Sequence, residues 1–175
     1  MDKSYAEKIE SVLGCKEKAD ELHEKYRTFL SQQKISTSGC QGTLRAIRIF
    51  LCRHQQLTVD LYGKKTPAGN STCLALSVAT TLLAAREGAE AKVRLNCSLN
   101  SPLHYMVHLP TGQDYEIANM KAKPIGKLFE RDLTPESVLR HMKVVDNTLK
   151  KIRFRDRSVF RLCRTKSTRK ILLSR

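Results

Sequence analysis

The chain has 175 residues, 41% of them hydrophobic, which is enough for one compact domain with extensions and a core large enough to fold alone. Its formal net charge is +15, unevenly spread: residues 150–175 hold eleven Lys or Arg against one acid, Asp156, whereas the first 34 residues hold seven of each. No apolar run approaches the ~20 residues of a membrane-spanning helix, and six scattered cysteines without a Cys-x-x-Cys pair argue against a zinc or disulfide framework and for reduced thiols.

The start, Met1-Asp2-Lys3-Ser4, lacks the charged-then-apolar layout of a secretory signal, so an intracellular, cytoplasmic protein is expected. One long helix is then expected from about Ser4 to Gln33. Tyr5, Val12, Ala19 and Tyr26 recur at seven-residue steps, with Cys15, Leu22 and Phe29 on the adjacent row; Gly14 weakens the pattern. The stripe either meets a partner as a coiled coil or packs on its own domain. Ile35 to Gly42 reads as a polar linker, and Thr43 caps a second helix with Leu44, Ile47, Phe50 and Leu51 on one face. Its outer side carries Arg45, Arg48 and Arg53, which meet either phosphate or water. Cys52 is assigned to the core, and His54 has no second ligand cluster that would make a metal site.

After the turn Gly63 to Gly69, Asn70, Ser71 and Thr72 are helix-capping residue types set just before the apolar run Leu74 to Ala85. Cys73 therefore falls in the first turn of a helix. Free amides and the positive end of the helix dipole favour an anion there, and the thiolate is the nucleophilic form of cysteine. Ala91, Val93, Leu95 and Cys97 alternate with Lys92, Arg94 and Asn96, as in a half-buried strand.

Leu103 to Leu109 reads as the next strand, Pro110 to Gln113 as a turn, and Asp114 to Asn119 as the returning strand. A two-residue loop at Thr111-Gly112, or a four-residue loop closed by Leu109 and Asp114, makes paired positions sum to 223. His104 then faces Asn119 and His108 faces Tyr115, while Asp114 and Glu116 fall on the opposite face. His108 shares the face of His104. With Cys73 the two histidines could in principle hold a metal, but no fourth ligand is evident, so no metal and no cofactor are expected.

A Gly-x-x-x-Cys opening an apolar helix, Gly88 closing it, a strand, and a His-led hairpin ending in Asn resembles the transglutaminase-like superfamily of papain-like cysteine enzymes. The resemblance covers roughly Thr43 to Met120. It implies Cys73 as nucleophile, His104 as base and Asn119 as the residue that orients the ring. Asn stands where Asp is commoner in the superfamily, and Tyr105-Met106 where a small residue and Trp often follow the histidine. The implied chemistry is acyl transfer through a thioester, as peptidase, amidase or transglutaminase, on a protein or peptide amide.

Lys121 to Arg131 reads as a basic loop near the site entrance. Thr134-Pro135-Glu136 is a strong helix start, followed by the stripe Val138, Met142, Val145, Leu149 and Ile152 to about Lys151. The remaining tail alternates basic and apolar residues as a strand or an amphipathic segment. Its Arg153, Arg155, Arg157, Arg161, Arg164, Lys166, Arg169 and Lys170 suit nucleic acid or an acidic protein. The expected architecture is α+β: residues 1–34 a helical extension, 35–131 a papain-like, transglutaminase-like core with the Cys helix on an antiparallel sheet, 132–152 a helix and 153–175 a basic tail. The alternative to an enzyme is a non-catalytic module of the same fold that binds through its basic surface.

Overall fold

The computed structural model describes residues 3–35, 37–54, 57, 58, 61, 73–98, 104–117 and 127–153. In chain order these form α1 (Tyr5–Leu13), α2 (Lys16–Gln33), α3 (Gly39–Arg53), α4 (Cys73–Arg86), β1 (Lys92–Ser98), β2 (His104–His108), β3 (Asp114–Tyr115), β4 (Lys127–Asp132) and α5 (Pro135–Arg153).

The expected single N-terminal helix is two. Ser4 and Glu7 form a reciprocal capping box at the start of α1, and Gly14 ends it in the left-handed conformation at φ 61°. Glycine enters that region without a Cβ clash, so the chain turns and Cys15 drops into the core. The apolar stripe nevertheless survives across the break. Ala19, Leu22, Tyr26 and Phe29 are buried within this chain, which uses the stripe as core. Helix α3 begins at Gly39, inside the expected linker. It buries Leu44, Ile47, Phe50 and Leu51 and leaves Cys52 exposed, contrary to its assignment to the core. Residues 50 and 51 occupy the inner face of that turn, so position 52 rotates outward.

Helix α4 carries no charged residue before Arg86, and every residue from Leu74 to Ala84 is buried, Ser77, Thr80 and Thr81 included. A helix of that kind has to be surrounded, and α4 is: it packs against α1, α2 and α3 and against β1 and β2. Each fully buried Leu on it, such as Leu82 and Leu83, contributes ~1.5–3 kcal/mol of hydrophobic stabilisation. At the C-terminal end the Arg86 guanidinium binds Asp20 and Glu10, while His23 meets Glu87 at 2.7 Å. Gly88 follows at φ 78°, closing the helix as expected.

The sheet is antiparallel, in the order β3-β2-β1-β4. Val93, Leu95 and Cys97 of β1 are buried as the alternation requires, joined by Tyr105 and Val107 of β2. The Tyr5 hydroxyl donates to the Leu133 carbonyl at 2.7 Å and accepts from the Val93 N–H at 3.3 Å, fastening α1 to the sheet. Lys127–Asp132 forms the edge strand β4 where a loop was expected. Pairing with β1 leaves Leu128 and Phe129 exposed at that edge. Thr134 caps α5 through the Ser137 N–H, Pro135 opens it, and Val138 enters the core. The helix runs through Arg153; the side chains of Val145, Leu149 and Ile152 lie outside the described set.

Candidate active site

Cys73 is the first residue of α4, half-buried, at the end of the helix that packs across β2. His104 is the first residue of β2 and is 2% exposed. The two are linked through Tyr105, whose backbone N–H is directed at the Cys73 thiol. That amide is open to the sulfur for a topological reason: β3 is only two residues long, and its ladder with β2 stops at Val107↔Tyr115. The returning strand was expected to continue to Asn119. Instead the chain leaves the ladder after Tyr115, and the helix start meets β2 at the opening.

The hairpin register differs from the expected one by a single residue. The Gly112 N–H bonds the Leu109 carbonyl and the Leu109 N–H bonds the Gln113 carbonyl, both at 2.9 Å, with Gly112 at φ 81°. This is a three-residue loop, a turn led by Pro110 and closed by a left-handed glycine. His108 therefore pairs with Asp114, and paired positions sum to 222. A slip of one residue reverses every side chain of the returning strand. Asp114 and Glu116 accordingly lie on the same face as His104 and His108, not on the opposite one, and His108 faces Asp114 instead of Tyr115.

Two histidine–carboxylate pairs result. His108 Nδ1 is 2.7 Å from Asp114 Oδ1. His104 Nε2 is 2.8 Å from Glu116 Oε1, with the ring N–H not yet aligned for a hydrogen bond. Asp114 also meets the Arg94 guanidinium at 3.3 Å, and Arg94 in turn holds Asp132 at 2.7 Å and Glu130 at 3.7 Å. His108 thus belongs to an ion-pair network on the outer face of the sheet.

The Cys73 thiol is pushed up from its ordinary pKa, the opposite of the helix-start expectation. Burial is the largest cause. The backbone N–H groups of Tyr105, Leu74 and Cys73 itself pull it down, and the Glu116 charge adds to the rise. The helix start does act on the sulfur, but desolvation outweighs it. Burial also raises the Cys15 thiol, to about 11, and Cys97. Behind the site, the Tyr105 hydroxyl is 2.9 Å from His141 Nδ1 of α5, and burial holds the phenol above its usual pKa.

Cys73 and His104 are therefore brought to the same end of β2. Asn119 lies outside the described residues, as do Asn70, Ser71 and Thr72 and the tail residues Arg155, Arg157, Arg161, Arg164, Lys166, Arg169 and Lys170; of Arg153 only the helical backbone is described. Glu116 is the site residue that sequence reasoning placed on the wrong face. Its signal was Pro110-Thr111-Gly112, in which the glycine suits the left-handed position of a three-residue loop. No family model, curated protein or solved structure matches the chain. Among the described residues no helix is long and apolar enough to cross a membrane.

Proposed function

We propose that the protein is a cysteine-dependent acyl-transfer enzyme of papain-like, transglutaminase-like type. The observation that carries this reading is the meeting of Cys73, at the first residue of a buried helix, with the backbone of Tyr105 beside a buried histidine that has its own carboxylate neighbour. A thiol held above its ordinary pKa needs a base at the moment of attack, and His104 is the base at hand. His104 takes the thiol proton as sulfur bonds to the amide carbonyl carbon. The imidazolium then returns that proton to the leaving amine as the C–N bond breaks, leaving a thioester. Water or a second amine attacks the thioester, and the thiol is restored. The backbone N–H of Cys73 serves the developing oxyanion on this reading.

The raised thiol pKa also favours a second reading, a non-catalytic module of the same type whose basic tail binds nucleic acid or an acidic protein. One experiment separates the two. The protein is mixed with p-nitrophenyl acetate and its thiols are followed by mass spectrometry. The enzyme reading requires an acetyl thioester on Cys73, formed with release of nitrophenolate, that disappears in C73A and falls steeply in H104A. Acetylation of Cys73 no faster than that of exposed Cys40 and Cys52, and indifferent to His104, would establish the binding module instead.

A further inference from the structure

We infer that Glu116 is the positioning residue of the site: its carboxylate receives the Nε2–H of His104 and so presents Nδ1 of the ring to the Cys73 thiol. The inference rests on the acyl-transfer reading and adds to it a residue that the sequence pattern did not assign.

The geometry supports it in three ways. The Nε2 to Oε1 separation of 2.8 Å is already that of a charge-assisted hydrogen bond. Among the described residues both atoms are sealed from solvent and lack a hydrogen-bond partner, so each is a desolvated polar group left unsatisfied until they pair. Finally, Glu116 is close enough to Cys73 for its charge to act on the thiol, so the carboxylate that neighbours His104 also neighbours the sulfur. His108 offers no equivalent, because its carboxylate partner Asp114 is shared with Arg94. With no competing cation among the described residues, the Glu116 carboxylate stabilises the imidazolium that forms when His104 takes the thiol proton.

The test compares wild type, E116Q and E116D in the full chain, with H104A as reference. Three readouts are taken: acylation of Cys73 by p-nitrophenyl acetate, alkylation of Cys73 by iodoacetamide at fixed pH, and the 15N shifts of the neutral His104 ring. Glutamine keeps the shape and removes the charge. E116Q should lower the acylation rate about 100-fold, while alkylation becomes faster because the anion that raises the thiol pKa is gone. Loss of folding would itself expose the buried thiol and speed its alkylation, so the urea midpoint of E116Q is read alongside and must match the wild type for the opposed rates to count. E116D should recover at least about tenfold of the lost acylation by restoring the charge. The ring should carry its proton on Nε2 in the wild type. If H104A abolishes acylation but E116Q leaves it unchanged, or if the proton sits on Nδ1, the role of Glu116 is overturned and the acyl-transfer reading stands. If H104A itself acylates like the wild type, both fall together.

Discussion

The two ends of β2 carry the same chemical pair in different settings. At the hairpin end, His108 and Asp114 sit beside Arg94, whose guanidinium also binds Asp132 and Glu130. At the open end, His104 and Glu116 sit beside a thiol at a helix start, and His104 is 2% exposed against 16% for the His108 side chain. A histidine–carboxylate pair is common in protein surfaces and says little about chemistry by itself. A neighbouring cation commits the carboxylate to structure, whereas on the proposed reading a neighbouring thiol gives the imidazole a proton to move. The paired chemical groups, an imidazole and a carboxylate, are the same at the two ends; what differs is the third group.

Substituting the histidines one at a time should break the symmetry most strongly. H104A is expected to lower acylation of Cys73 by about 100- to 10,000-fold, the range general base catalysis spans. H108A should stay within about twofold of wild type in the same assay. Equal losses would mean that the two pairs act as one network.

Arg94 is the group that makes the hairpin end structural. R94M leaves Asp114, Glu130 and Asp132 without their shared cation and should cost about 2 kcal/mol in urea unfolding, discounted from the buried-pair value because these carboxylates are about a third exposed. Acylation of Cys73 should change little. A large loss of acylation at unchanged stability would show that the ion-pair network reaches the open end.

A smaller effect is expected from Y105F, which removes the hydroxyl hydrogen-bonded to His141 Nδ1 while retaining the ring. It should cost about 1 kcal/mol, read as a lower urea midpoint with unchanged slope, because the backbone N–H of residue 105 that faces Cys73 remains.

The smallest effect concerns pH. The pKa of His141 is lowered, first by burial and then by Arg131 and Arg140. The unfolded chain therefore binds the proton before the folded one does as pH falls below the ordinary histidine value of ~6.5. In that window the unfolded state holds more protons, so stability rises with pH and is lost as pH falls. A difference between urea midpoints at pH ~7.5 and ~5 should be partly removed by H141Q. If H141Q unfolds with the same pH slope as wild type, the titrating group is elsewhere.

Much of this fold is written locally. The capping box Ser4/Glu7, the uncharged, mostly apolar run of α4, the alternation through β1 and the Thr134-Pro135 start of α5 all follow from propensities and periods acting over a few residues. The placement of Cys73 at a helix start and His104 at a strand start is readable in the same way, because both depend on nearby residues. The break at Gly14 was signalled by its glycine, and only the choice between a weak helix and a turn needed the burial of Cys15 to settle it.

The partner of His104 was decided by tertiary structure. One extra residue in the Pro110–Gly112 loop shifts the pairing sum from 223 to 222, and a period of two turns that single step into a reversal of face for Glu116. The thiol pKa was decided the same way: the helix start is a local feature, but the desolvation that outweighs it comes from packing α4 across β2. The sequence by itself determined which chemical groups are present and which elements carry them, since those are short-range properties. Hairpin register and dielectric environment arise from the whole domain closing around α4, and only the closed domain could decide which carboxylate meets which histidine.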